Sequence, residues 1–127
     1  MTVRELTTQN FNALIETGTV VIDWWAPWCP PCRAFAPVFA AASERHSGLV
    51  FAKVDADAQQ GLAAAFHIQA LPTLMIFRDG ILLFREPGMP SARELDLLLE
   101  EIGAIDMAEL RRRLESRNAS PTERTGT

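Results

Sequence analysis

Two cysteines, Cys29 and Cys32, stand three positions apart in the stretch WWAPWCPPCRAFAP, separated by Pro30 and Pro31, and the chain of 127 residues has no others. Thiols at this spacing can close a disulfide, share a metal, or lie inert in a core. The thiolate is the reactive form of cysteine, and a free thiol is mostly protonated at neutral pH. Cys29 comes just before a helical pattern, where backbone N–H groups and the positive end of the helix dipole would stabilise its thiolate. Prolines suit that first turn, because its N–H groups have no intrahelical partner and the ring already holds φ at a helical value. Cys32 then falls within the first turn, close enough to bridge to Cys29. A zinc site would need two further ligands. The two histidines, His46 and His67, have 20 residues between them, unlike the close pair of a zinc finger. The pattern favours redox chemistry over a metal site or an inert buried pair, and no metal is expected.

Two charged residues occupy interior-looking places. Asp23 lies in the middle of VVIDWWA, where burial would raise its pKa and let it hold a proton at neutral pH. The competing reading is a polar residue at an exposed strand end. Lys53, in FAKVDA, is the one lysine beside eleven arginines. A compact ammonium on a flexible stem can approach a buried carboxylate, and its pKa moves on burial as that of arginine does not. Lys53 is therefore read as the partner of Asp23 on a neighbouring strand, against the alternative of a snorkelling surface residue.

The elements that must position these groups follow from periodicity. Val3 to Leu6 reads as a short edge strand, and Phe11, Leu14 and Ile15 share one face of a helix. Thr19 to Ala26 is an apolar, β-branched run of the kind buried on both faces. A helix is predicted from the cysteines to about His46, with Pro37 as a kink inside it. Leu49 to Ala56 is a second buried strand, followed by a short helix from about Ala58 to Phe66. TLMIF and ILLFR form a hairpin through Asp79-Gly80. Ser91 and Glu94 make a capping box for a helix that Gly103 ends. The order βαβαβαββα implies a central mixed sheet covered by helices. Beyond Gly103, Asp106 and Glu109 form another capping pair, with Met107, Leu110 and Leu114 at helical spacing. The organisation expected is a domain over 1–103, an added helix over 104–117 and a disordered tail over 118–127.

Composition narrows the function. A hydrophobic share of 48% suits an ordinary globular domain, and a net charge of -4 argues against nucleic acid as a partner. MTVRELTTQN lacks the basic and apolar regions of a signal peptide, and no apolar run reaches the length of a membrane span. The expectation is a cytoplasmic protein without membrane partners, a setting in which a lone cysteine pair is catalytic or metal-binding rather than structural.

VVIDWWAPWCPPCRAFAP resembles the active-site segment of the thioredoxin family, VDFWA-x-WCGPC followed by a proline-kinked helix. FAKVDAD, ALPTLMIFRDG and PGMPS match the family in order and spacing, so the likeness covers roughly Val3 to Ile102. The resemblance implies an α/β thioredoxin fold, here with a C-terminal helical extension, and thiol-disulfide exchange. Cys29 would be the exposed nucleophile, Cys32 the resolving thiol, and Asp23, with Lys53 beside it, the buried acid that relays a proton to or from Cys32. Pro72 would be a cis proline aiming the Leu71 backbone at an extended substrate segment. Trp28, Pro30, Ala70, Leu71, Pro72, Gly88 and Met89 would form the substrate-binding rim, with Trp25 and Trp24 in the core. Pro30 departs from the family's glycine. The function implied is a monomeric protein-disulfide reductase without bound cofactor, receiving electrons from NADPH through a thioredoxin reductase. The alternatives are a disulfide oxidant or isomerase, and a non-catalytic binding module.

Overall fold

The run TVVIDWW forms β2 (Thr19–Trp25), the central strand of a five-stranded sheet in the computed structural model, which describes residues 3–119. β-branched and aromatic side chains suit a strand covered on both faces. Its neighbours are β3 (Val50–Asp55), which runs parallel to it, and β4 (Thr73–Arg78), which runs antiparallel. The edges are β1 (Val3–Glu5), parallel to β3, and β5 (Ile81–Pro87), antiparallel to β4, giving the order β1-β3-β2-β4-β5. The hairpin between β4 and β5 turns at Asp79 and Gly80, both at positive φ (52° and 83°), as a two-residue Asp-Gly turn requires.

Alternation along β2 divides the core. Val20, Ile22 and Trp24 join Leu6, Phe11, Val54, Met75 and Phe77 in one buried cluster, closed by partly buried side chains that include Leu14, Ile15, Leu62 and Phe66. These last come from α1 (Phe11–Ile15), α3 (Gln60–Ala65) and the end of α3. Phe11 packs tilted against Trp24 and Phe66 and edge-on to Phe77, with centroids 5.1 to 6.4 Å apart. The opposite face takes Val21 and Asp23 and meets α2 (Pro30–Arg45), where Phe39 sits edge-on to Phe51 at 5.2 Å. Pro37 lies inside α2, as expected.

The chain divides into two units, one running to Asp96 and the other from Leu97 onward. The division falls inside α4 (Ala92–Gly103). At its start the capping box is reciprocal: Ser91 N–H donates to Glu94 Oε1 at 2.8 Å, and Glu94 N–H donates to Ser91 Oγ at 3.1 Å. Asp96, in the first unit, receives hydrogen bonds from Arg45 and His46 at the end of α2. In the second unit Leu99, Ile102 and Met107 are buried, and α5 (Met107–Ala119) forms the added helix.

Two local expectations change. Gly103 is the last helical residue rather than a left-handed cap, because the turn closes through Ala104 N–H to the carbonyls of Glu100 and Glu101. The capping pair of α5 works in one direction: Glu109 N–H donates to Asp106 Oδ1, while the Glu109 carboxylate pairs with Arg112 and Arg113. Charged partners one turn onward outcompete a return bond to the backbone. The helix runs to Ala119, and the rest of the expected tail, 120–127, lies outside the described residues.

Candidate active site

Cys29 is the N-cap residue of α2, with extended backbone angles (φ -91°, ψ 108°) and Pro30 and Pro31 filling the first helical positions. Its Sγ accepts the Cys32 N–H at 3.3 Å, the place an oxygen takes in an ordinary cap. Cys29 N–H in turn donates to the Ala26 carbonyl at 3.2 Å, and the Arg33 guanidinium donates to Pro27 at 2.9 Å, so the loop leaving β2 is tied at both ends. Cys29 and Cys32 are joined in a disulfide.

The facing wall is the segment before β4. The Leu71-Pro72 peptide is cis, as expected, and the Leu71 carbonyl oxygen lies 3.7 Å from Cys29 Sγ. Thr73 Oγ1 donates to the Ala70 carbonyl at 2.6 Å, and Gly88 N–H donates to the Pro72 carbonyl at 2.8 Å. Gly88 has φ +104°, a region that a side chain would strain, which accounts for a glycine at this place in the rim. Ala26, Cys29 and Cys32 form a small buried cluster, packed against Trp25 and Leu71.

Burial corrects one expectation. The family resemblance implies an exposed Cys29, but in the disulfide only 3% of its surface is open. Leu71 and Trp25 pack against the cysteine pair and close it off from water. The exposed apolar surface belongs instead to Trp28 (64%) and Met89 (47%), with Pro30, Ala70 and Gly88 also exposed, Leu71 half-buried and Pro72 buried. Trp28 is held by a bond from its indole N–H to Asp57 Oδ2 at 2.7 Å. Asp57 was not among the residues singled out from the sequence, and only the neighbouring acidic turn at Asp55 hints at it.

Asp23 is 4% exposed and faces α2, and burial raises its pKa from 3.8 to about 7 against the opposing attraction of Lys53. Asp23 and Lys53 are register partners on β2 and β3. They share an open groove of about 290 Å³ with Val3, Ala36, Pro37, Phe39 and Ala40, and neither cysteine lines it. Among the described residues Asp23 Oδ1 has no hydrogen-bond partner, and the Lys53 ammonium rests 5.0 Å above the Trp25 ring. Lys53 thus acts on Asp23 through the electrostatic attraction of its charge. Among the described residues there is no group of three or more His, Cys, Asp or Glu side chains that could hold a metal ion. No helix among them is long and apolar enough to cross a membrane.

The family model described as Thioredoxin matches residues 2–102. A Streptomyces coelicolor protein provisionally named thioredoxin 2 is 40% identical over 116 residues, 91% of this chain and 87% of its own, which carries the match into α5. The thioredoxin of Chlamydia caviae is 32% identical over 99 residues, 78% of this chain and 97% of its own. Among solved structures, Plasmodium falciparum thioredoxin superposes with a TM-score of 0.72 at 28% identity, covering 78% of this chain and 98% of that one.

Proposed function

This chain belongs to the thioredoxin family and is a thiol-disulfide oxidoreductase, and from that premise we propose that it reduces disulfides in other proteins. In the reduced protein Cys29, as a thiolate, attacks one sulfur of a substrate disulfide, and the other substrate sulfur leaves as a thiolate. Cys32 loses its proton, with Asp23 as the acceptor and Lys53 stabilising the charge that Asp23 then carries. The Cys32 thiolate attacks Cys29 Sγ, the second substrate sulfur departs, and the pair is left as the Cys29–Cys32 disulfide. Two electrons have passed to the substrate, and the dithiol itself carries them, so no bound cofactor is called for.

Substrate sits as an extended segment against the Leu71 backbone beside the cis Pro72, flanked by Trp28, Pro30, Ala70, Gly88 and Met89. Family members work with a thioredoxin reductase and disulfide-bearing proteins; for this chain we assign the electrons to NADPH through such a reductase, in the cytoplasm.

The observation that carries the direction of the reaction is the turn between the cysteines. Pro30 and Pro31 have no N–H, and the donor to Cys29 Sγ is the Cys32 amide. Fewer donors to the thiolate leave the reduced form less stabilised, which makes the dithiol a stronger reductant. Equilibration against glutathione buffers tests this. The expected midpoint lies nearer about -270 mV, a reducing reference, than about -180 mV, the isomerase value. Pro31→His places an imidazolium beside the sulfur and should move the midpoint to more oxidising values. A wild-type midpoint at the isomerase value would make the protein an oxidant or isomerase.

A further inference from the structure

The end of α3 carries a residue that its backbone does not favour. Ile68 N–H bonds the Ala63 carbonyl and His67 N–H bonds the Ala64 carbonyl, both at 3.0 Å, the paired bonds of a Schellman stop. The residue after the cap must then take a left-handed conformation, which glycine adopts without strain. Here that residue is His67, at φ +52°. Backbone strain of this kind collects where the surrounding structure makes use of it. The His67 carbonyl is taken by Arg85 of β5, whose Nη2 donates to it at 2.9 Å.

These two residues wall a recess of about 210 Å³, completed by Gln69, Ala70, Thr73 and Pro87. Its position matters, because Ala70 belongs both to the recess and to the segment that leads into Leu71 and Pro72. The Thr73 hydroxyl donates to the Ala70 carbonyl. That leaves a guanidinium, an imidazole and a primary amide as the side chains with N–H groups on the wall, and no carboxylate lines it. Glu86, next to Arg85 on β5, turns to the other face by strand alternation, because Arg85 pairs across with Met75 and Glu86 with Leu74. On the Trp28 side of the cysteines lie both the Asp57 carboxylate, bonded to the Trp28 indole, and the Arg33 guanidinium, bonded to the Pro27 carbonyl.

We propose that the recess walled by His67 and Arg85 is a specificity site that receives an acidic side chain of the substrate protein near its disulfide. Arg85 takes the carboxylate, and its bond to the His67 carbonyl holds the guanidinium where the substrate segment passes Ala70. One N–H of Arg85 is engaged, and its planar fork leaves further donors for a carboxylate. The site rests on the reading that the chain reduces protein disulfides, and it selects among such substrates.

The test uses the full chain and a set of disulfide-linked peptides of one neutral sequence, in which each of the three positions on either side of the cysteine carries Glu, Gln or Lys in turn. Reduction rates are measured as kcat/KM for wild type, Arg85→Gln and Arg85→Lys. At one or more positions wild type should prefer Glu to Gln by about two- to fivefold, the range for a partly exposed ion pair, and Lys should be worst. The preference should shrink in high salt and vanish in Arg85→Gln, with Arg85→Lys retaining part of it. Arg85→Gln keeps a donor for the His67 carbonyl, so its rate on the all-neutral peptide reports on the loop. A loss shared equally by all peptides would make Arg85 a support of the loop and overturn the proposal. Equal wild-type rates on Glu, Gln and Lys peptides at every position would also overturn it while leaving the reductase reading intact. Failure of wild type to reduce any peptide would overturn both.

Discussion

Asp23 holds its proton to about pH 7 because β2 turns the carboxyl toward α2, away from water, and the Lys53 charge compensates only in part. The unfolded chain would release that proton near the ordinary value of 3.8. Between these two values the folded state binds the proton more tightly, so stability falls as pH rises from about 4 to about 7 and is level above. Asp23→Asn removes the titration. Its stability gain over wild type should be near zero at pH 4 and reach a plateau above pH 7.5, with an upper bound on the order of 4 kcal/mol. Turnover should fall in the same variant, because Cys32 loses its proton acceptor. Urea melts at pH 4, 6 and 8 beside a disulfide-reduction assay read both effects. A pH-independent change in stability would mean that the carboxyl titrates alike in the folded and unfolded states.

At the scale of elements, the site is built from the ends of secondary structure. The start of α2 supplies the cysteines, the approach to β4 supplies the cis peptide, and the stop of α3 supplies His67. The stop has a measurable consequence. Histidine in a left-handed position is disfavoured relative to glycine, so His67→Gly should stabilise the protein by about 1 kcal/mol. Chemical denaturation with wild type and variant side by side checks it, and a destabilised variant would show that the imidazole contributes more than its backbone costs. The same logic explains Asp79 and Gly80, whose positive φ values form the hairpin turn, with Asp79 Oδ1 also accepting the Gly18 N–H at 2.8 Å. Turn residues with short polar side chains or none were readable in advance; a histidine helix stop was not.

For the molecule as a whole, every residue assigned to the site lies at or before Met89, while α5 begins at Met107. We propose that residues 1–103 form the redox domain and that the helix added over 104–117 serves stability. Met107 is 8% exposed, so the extension takes an apolar side chain out of water, worth about 2 kcal/mol. Truncation after Gly103 should therefore lower the melting temperature by about 8 °C and leave disulfide reduction intact. Calorimetry and the reduction assay on the shortened chain test both halves, and loss of activity in a chain that still melts cooperatively would place the extension in the site.

Local chemistry makes much of this protein legible in its sequence alone. The cysteine spacing and its prolines, the apolar run around Asp23, the Asp79-Gly80 turn and the Ser91–Glu94 box each involve residues a few positions apart, and short-range sterics and hydrogen bonding settle such features alone. Likeness to the thioredoxin family added the cis peptide at Pro72, which nothing in the spacing requires. Only the tertiary structure decided the rest. Trp28 meets Asp57 across 29 positions and Arg85 meets His67 across 18, because strand register and the packing of α3 bring them together. Cys29 is covered by Leu71, 42 residues away, so its burial could not be read from its place at a helix start. The alternation of β2 likewise sends Asp23 to a groove that excludes the cysteines. Which face a strand turns to which helix is a property of the assembled sheet, and no local run of residues contains it.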